Sequence, residues 1–472
     1  MFFGREKEFQ KLESLYASNQ FEFVVFYGRR RVGKTTLITE FLKDKKAAYF
    51  MSIEGTKREN LRGLSLAILS LENSNVADAL AFQEFEDLLS YVDQLARTGE
   101  RIVIAIDEYP YLATSYPAIS SMIQSHVDQC WKDSNLFLVL CGSSMSFMEE
   151  QVLGYKSPLY GRRTAQFKLR PFTFFESKEM YVNYSSEEQA LLYGVTGGIP
   201  EYLSRVNPKL SVDENIIRLF FEESGRLFEE PSNLIKQELK EPASYHSIIS
   251  AIASGASRMN EIATKTGLES SGCSSQITTL IALGIVKKEY PITDAPTSRK
   301  TIYRLQDSMF LFWYRFVRPN ISNIMRGMGG MIYETQVKPQ LNDFMGEVFE
   351  EMCQQYLYIP EVFVTLPFTL GNVGRWWGTN KAKKQQEEID IMSCDNDNAF
   401  MCECKWRNEI QGVEVIETLL RRGEIFAYPN KYYCIFAKRG FTDAAIARAE
   451  EVSNLKLVSF DDIVAADNYR KK

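Results

Sequence analysis

The chain has 472 residues, more than one hydrophobic core can serve, since single cores stop growing near about 250–300 residues; two or three domains are expected. Hydrophobic residues at 45%, charged residues at 25% and a net charge of −6 exclude long disordered or collagen-like regions and any global attraction to nucleic acid, leaving DNA contact to local basic surface. The opening MFFGREKEF has neither part of a signal peptide and no apolar run nears the roughly 18–20 residues of a membrane span, so a cytoplasmic protein without membrane contact is expected.

Residues 21–27 (FEFVVFY) have strand length and strand composition, and they run directly into Gly28-Arg29-Arg30-Arg31-Val32-Gly33-Lys34-Thr35-Thr36. This is GxxxxGKT, a P-loop. Its glycines let the backbone fold back so that N–H groups face a phosphate, and the helix beginning near Lys34 adds the positive end of its dipole. The nine residues are expected to hold ATP, with Lys34 at the β and γ phosphates and Thr35 as a Mg²⁺ ligand. Further on, 101–106 (RIVIAI) is a continuous apolar strand ending in Asp107-Glu108, which reads as a Walker B element. Asp107 would hold Mg²⁺ through water and Glu108 would polarise the attacking water. The next apolar strand, 136–140 (LFLVL), leads into Cys141-Gly142-Ser143-Ser144; a serine here, Ser143 foremost, either senses the γ phosphate or simply turns the chain.

At this point a resemblance is specific. Gly4-Arg5-Glu6, the P-loop, Asp107-Glu108, Gly142-Ser143-Ser144, Leu159-Tyr160-Gly161-Arg162-Arg163 and Gly197-Gly198-Ile199-Pro200 stand in the order seen in archaeal-type ATPases, relatives of the STAND and AAA-like P-loop proteins. The resemblance implies that Gly4 and Arg5 border the adenine, that Pro200 closes over it, and that Arg162 or Arg163 serves as an arginine finger. Plainer roles stay open: Arg5 as a salt-bridged helix cap, the arginine pair as a solvated face.

From about 185 to 241 apolar residues recur at helical intervals, as in a lid over the nucleotide. Between 245 and 283 three short helices with stops at Gly267 and Gly284, followed by a polar ribbon at 286–304, describe a winged helix-turn-helix. Ser270, Ser274, Ser275 and Gln276 are candidates for DNA contact, with Lys287, Lys288, Arg299 and Lys300 on the wing. No lysine or arginine lies between Ser271 and Leu283, so a lever packed on the ATP domain is the alternative. The run 309–319 (MFLFWYRFVRP) is expected to be a buried helix, because exposed aromatics at that density are a liability.

In the last third, Glu388-Ile389-Asp390-Ile391-Met392 and 400–406 (FMCECKW) each alternate as strands around the turn material Asp395-Asn396-Asp397-Asn398. A turn centred between Asn396 and Asp397 makes paired numbers sum to 793 and sets Asp390 opposite Glu403, with Lys405 on the same face. Two opposed carboxylates repel unless something positive lies between them. Mg²⁺ or Mn²⁺ answers that need, with Lys405 orienting a hydroxide or steadying a scissile phosphate. The pattern Asp390, Glu403-x-Lys405 resembles the PD-(D/E)xK signature of restriction-endonuclease-like nucleases, without the proline. That resemblance implies a third acid on a preceding helix, for which Glu350, after Phe349, holds the matching place. Cys402 and Cys404 form a CxC, but with two histidines in the whole chain a zinc site is not expected, and the eight scattered cysteines read as reduced thiols.

The expected architecture is therefore α/β: a P-loop ATPase core with a parallel sheet at 1–183, a helical lid at 184–241, a winged helix-turn-helix at 242–306, linker helices at 307–340 and an α/β restriction-endonuclease-like domain at 341–472. Its expected ligands are ATP or ADP, Mg²⁺ and DNA, with a homo-oligomer or a regulatory protein partner open. Three functions compete: an ATP-regulated nuclease, a nucleotide-gated DNA-binding or signalling switch, and a transcription regulator.

Overall fold

A computed structural model describes residues 3–72, 81–380 and 383–466. The chain divides into two compact units, Met1–Phe172 with Ile199–Glu201, and Thr173–Gly198 with Tyr202–Lys472. The expected segments after 184 fall in the second unit, apart from Ile199–Glu201.

The first unit is built on a five-stranded sheet in the order β2-β3-β4-β1-β5, every pair parallel. The strands are β1 (Glu22–Tyr27), β2 (Ala47–Met51), β3 (Val103–Asp107), β4 (Phe137–Gly142) and β5 (Ala165–Lys168). All residues of β1, β3 and β4 are buried, which explains why, Glu22 and Asp107 at strand ends aside, they carry no charged residue: a parallel sheet covered on both faces has no polar side to alternate with. One face packs against the amphipathic helices Lys57–Leu69 and Phe85–Arg97 through Leu61, Leu64, Leu88 and Val92. β4 separates the P-loop strand from the Walker B strand; the two motifs are next-but-one in the sheet, and the loop after β4 lies between them.

In the second unit the helices Pro242–Ala253, Met259–Thr266 and Ser270–Ala282 precede an antiparallel hairpin, β6 (Val286–Glu289) with β7 (Ile302–Leu305). The glycine stops are real: Gly267 and Gly284 take φ of +69° and +68°, the left-handed conformation that ends a helix without a Cβ clash. Residues 309–314, 316 and 317 are buried, so the aromatic run is core, as its density demanded. The carboxyl-terminal sheet, order β12-β11-β10-β9-β8, is mixed. It comprises β8 (Gly374–Asn380), β9 (Gln385–Cys394), β10 (Asn398–Lys405), β11 (Asn430–Ala437) and β12 (Leu455–Ser459). β9 runs antiparallel to both of its neighbours, β8 and β10, while β10, β11 and β12 are parallel. The helix Val413–Gly423 covers one face through Ile416 and Leu419. The helix Leu341–Leu357 reaches Trp406, Phe436 and Phe460 through Phe349 and Tyr356. Among the described residues no helix is long and apolar enough to cross a membrane.

Candidate functional site

Two clusters of chemistry-bearing residues stand out, one in each unit. In the first, the loop after β1 carries three positive φ angles: Gly28 at +148°, Arg31 at +70° and Gly33 at +91°. Gly28 has to be glycine, because a Cβ there would lie 2.3 Å from the Leu169 carbonyl oxygen. Gly33 caps the helix Lys34–Leu42, and the space over it reaches Pro200, whose Cγ is 4.0 Å from where a Gly33 Cβ would stand. Val32 is fully buried and anchors the loop, while Thr35 and Thr36 at the helix start are exposed. The Lys34 ammonium donates to the Gly28 and Arg29 carbonyls at 2.8 and 2.9 Å, and burial lowers its pKa. Arg30 donates to the Tyr111 hydroxyl at 3.1 Å.

Opposite the loop, the Thr35 hydroxyl donates to Asp107 Oδ2 at 2.7 Å. The same oxygen accepts the Tyr49 phenol at 2.9 Å, and Asp107 Oδ1 accepts the Glu108 N–H at 2.9 Å. Glu108 holds a left-handed φ of +49°, an unfavourable backbone for a side chain of this kind and one found at functional sites. Its Oε2 accepts from the Ser143 hydroxyl at 2.9 Å and the Ser143 N–H at 3.2 Å. Thr35, Asp107, Glu108 and Ser143 are thus brought together as one hydrogen-bonded chain. The oxygen donors of Thr35 and Asp107 suit Mg²⁺, a hard cation that takes oxygen ligands and keeps several waters.

Other expected residues take more structural positions. Arg5 is buried and donates to the carbonyl oxygens of Val32, at 3.1 Å, and of Arg170, with its guanidinium 4.7 Å over the Phe172 ring. It braces the P-loop from behind, and it also pairs with Glu8 at 3.4 Å. Gly4, φ +69°, fits against the Phe172 ring, where a Cβ would come within 2.8 Å. Arg162 forms a two-pronged pair with Asp128 at 2.6 and 2.9 Å, so a finger role requires exchanging that partner.

In the second unit the hairpin register follows the sum of 793 for Cys394↔Ala399 through Ile391↔Cys402. It then stops one pair short of Asp390 and Glu403. On the β8 side a bulge sets Asp390 and Ile391 against the single residue Arg375, and bulges re-aim side chains. Asp390 Oδ2 accepts the Cys404 N–H at 2.8 Å instead of facing Glu403 across a regular ladder. The two carboxylates nonetheless sense each other: burial first and Glu403 second push the Asp390 pKa up to about 7. Glu403 is paired with Lys405 at 2.5 Å and with Arg422 at 2.6 Å, and Arg422 also holds Glu387 at 3.0 Å. Glu350 is held by Arg375 at 2.8 Å and Arg304 at 3.4 Å; burial raises its pKa, Arg304 opposes that, and Asp390 adds to it. Among the described residues no three acidic, histidine or cysteine side chains gather as metal ligands do. Glu350 and Glu403 are both met by cations, Glu350 by Arg375 and Arg304 and Glu403 by Lys405 and Arg422, so either would have to exchange partners to take a metal.

On the three-helix segment, Ser270, Ser274 and Ser275 are exposed, whereas Gln276 donates to Ser244 Oγ at 2.8 Å. Of the wing cations, Lys287 pairs with Glu289 at 2.6 Å, Lys300 with Asp294 at 3.2 Å, and Lys288 donates to the Pro296 carbonyl at 3.1 Å. The sequence reading missed Tyr49 and Arg422. A tyrosine in a strand reads as packing and an arginine on an amphipathic helix as a solvated face, so neither carried a signal.

The comparisons with known proteins bear on the ATPase domain as a whole. Residues 2–206 match the model of an ATPase domain predominantly from Archaea, and 313–416 match that of archaeal and bacterial proteins of unknown function. The uncharacterized protein MJECL04 of Methanocaldococcus jannaschii is 32% identical over 447 residues, 93% of this chain and 96% of its own length. The uncharacterized ATP-binding protein MJ0423 of the same organism is 48% identical over 46 residues, 10% of this chain and 78% of its own. Among solved structures, the Walker-type ATPase PABY2304 of Pyrococcus abyssi superposes with a TM-score of 0.51 at 19% identity, covering 66% of this chain and 96% of that one, a likeness of fold. The chain belongs to one family with MJECL04, and it carries a P-loop ATPase domain of the predominantly archaeal type.

Proposed function

We propose that this protein hydrolyses ATP with Mg²⁺ in its first unit and uses nucleotide state to govern DNA binding and phosphodiester cleavage by its second. The observation that carries the first half is the hydrogen-bonded chain Thr35–Asp107–Glu108–Ser143 beside a loop whose backbone folds back on itself. In this reading residues 28–36 hold the phosphates, Lys34 exchanges its two carbonyl partners for phosphate oxygens, and Thr35 with Asp107 holds Mg²⁺. That ion supplies neutralisation of phosphate charge when bound. Glu108 positions the attacking water and takes its proton, and Ser143, bonded to Glu108, reports the state of the γ position. Gly4, Arg5 and Pro200 form the adenine side, and Arg162 acts as the finger, within a homo-oligomer, after leaving Asp128. Loss of ATP turnover in Lys34→Ala, with turnover in the parent protein, is the result expected; a parent protein that ignores Mg·ATP would overturn the reading.

For the second unit, residues 242–306 are read as a winged helix-turn-helix meeting DNA through Ser270, Ser274, Ser275 and Arg299. Residues 341–472 are read as a restriction-endonuclease-like domain in which Asp390, Glu403 and Lys405 form the cleaving set, with Mg²⁺ or Mn²⁺ and Glu350 as a further acid. The supporting observation is the buried Asp390 next to Glu403 and Lys405 at the splayed end of a hairpin. A nuclease assay across divalent metals, with and without ATP, compares the parent with Asp390→Ala. Cutting that disappears in the variant supports cleavage; cutting retained rejects it. Nucleotide-dependent DNA affinity without scission under any metal would instead favour a gated binding switch.

A further inference from the structure

Asp107 is 1% exposed, and a carboxylate that far from water must have each lone-pair direction accounted for. Its Oδ1 takes the Glu108 N–H. Its Oδ2 takes two hydroxyls, from Thr35 at 2.7 Å and from Tyr49 at 2.9 Å. Thr35 is a proposed metal ligand and belongs to the P-loop helix; Tyr49 belongs to β2, the edge strand on the far side of β3. In the β2–β3 register Tyr49 pairs with Ala105, two residues before Asp107, and Met51 pairs with Asp107 itself. The phenol therefore leans along its strand toward the carboxylate at the strand tip. A phenol keeps its proton throughout the neutral range and so can serve the carboxylate as a donor.

We infer that Tyr49 is a positioning residue for Mg²⁺: its hydroxyl fixes the plane of the Asp107 carboxylate so that Thr35 and Asp107 meet the ion together. The inference rests on the reading of residues 28–36 with Asp107 as a Mg·nucleotide site. It goes beyond it in assigning the metal's second support to an edge strand that carries none of the P-loop or Walker B residues. The chemistry is specific. A hydrogen bond to a charged oxygen restricts rotation about the carboxyl bond in a way that a phenyl ring filling the same space cannot, and Tyr49→Phe removes that bond while leaving the packing.

The test measures ADP affinity of the full chain by calorimetry, in EDTA and across a Mg²⁺ titration, for the parent and Tyr49→Phe. Hydrolysis is followed across the same titration. The expected result is metal-free ADP affinity within about twofold of the parent, a half-saturating Mg²⁺ concentration raised about tenfold, and a far smaller change in kcat. Equal loss of metal-free and metal-dependent affinity would reveal a merely structural residue and overturn the inference. So would an unchanged Mg²⁺ requirement. If the parent itself gains no ADP affinity from Mg²⁺, the metal-site reading falls and takes this inference with it; if the parent gains and the variant gains equally, only the role of Tyr49 falls.

Discussion

Replacing Gly28 by alanine puts a methyl group where the structure has room for none. The new Cβ would stand 2.3 Å from the Leu169 carbonyl oxygen. To reach even the tightest contact real side chains show, 3.0 Å, the two backbones must part by 3.0 − 2.3 Å, or about 0.7 Å. The yielding segment includes the Leu169 N–H bond to the Tyr27 carbonyl, 2.8 Å long, which ties β1 to the chain leaving β5. Overpacking costs about 1–3 kcal/mol, the positive φ about 1–2 kcal/mol for a residue with a Cβ, and a weakened backbone bond about 1 kcal/mol. Together they predict a loss of about 3–6 kcal/mol from the first unit. Gly161 is the internal control: its φ is +76° but nothing lies within 4 Å of a Cβ there, so Gly161→Ala should cost only the conformational part, about 1–2 kcal/mol. Urea unfolding reads both variants, using the transition that Mg·ADP shifts in the parent protein, since a ligand of the folded state marks its own unit. A difference between the two variants below about 1 kcal/mol would refute the close approach of Gly28 to Leu169.

Glu108→Gln should keep nucleotide affinity within about threefold while lowering turnover by about 100–10,000-fold, the range for a positioned general base; hydrolysis within tenfold of the parent would remove Glu108 from that role. Arg422→Met takes from Glu387 and Glu403, both buried, the guanidinium that bridges them; Lys405 still pairs with Glu403 and Arg421 with Glu387, so the second unit should lose about 1–3 kcal/mol in urea unfolding at neutral pH. Asp390→Asn should do the reverse. The folded pKa of about 7 exceeds the unfolded value of about 3.9, so the folded state binds the extra proton between them and parent stability declines as pH rises through that window. The amide escapes this cost, and its advantage should grow from near zero below about pH 4 to about 2–4 kcal/mol above about pH 7. An advantage independent of pH would contradict the burial argument.

What the sequence disclosed and what it hid divide along a physical line. Strand, loop and helix around Gly28–Thr36 were legible because local glycine geometry and a buried parallel strand each leave their own mark in residue type. The hairpin register was legible for a similar reason: Asp395 Oδ1 accepts the Asp397 and Asn398 N–H groups at 2.9 and 2.8 Å, and a turn closed by its own side chain fixes the count of the strands leaving it. The bulge at Asp390 was not legible, because it depends on how β9 pairs with β8, a strand whose partner no local pattern names. Glu350 followed from a resemblance of order along the chain, which places a helix but not the arginines that meet its side chain. Tyr49 and Arg422 are long-range partners, and their identities make sense only beside Asp107 and Glu403.

Arg304 joins regions that a domain diagram would separate. It sits on β7 of the two-stranded hairpin, yet its guanidinium reaches Glu347 at 2.6 Å and Glu350 at 3.4 Å on the long helix Leu341–Leu357. Hairpin and acidic pocket therefore share a counter-ion. Any polyanion that drew Arg304 away would alter the electrostatic company Glu350 keeps, and any cation settling near Glu350 would loosen the grip on β7. Thermodynamic reciprocity makes the two effects equal in size, so occupancy at either place is felt at the other through one side chain.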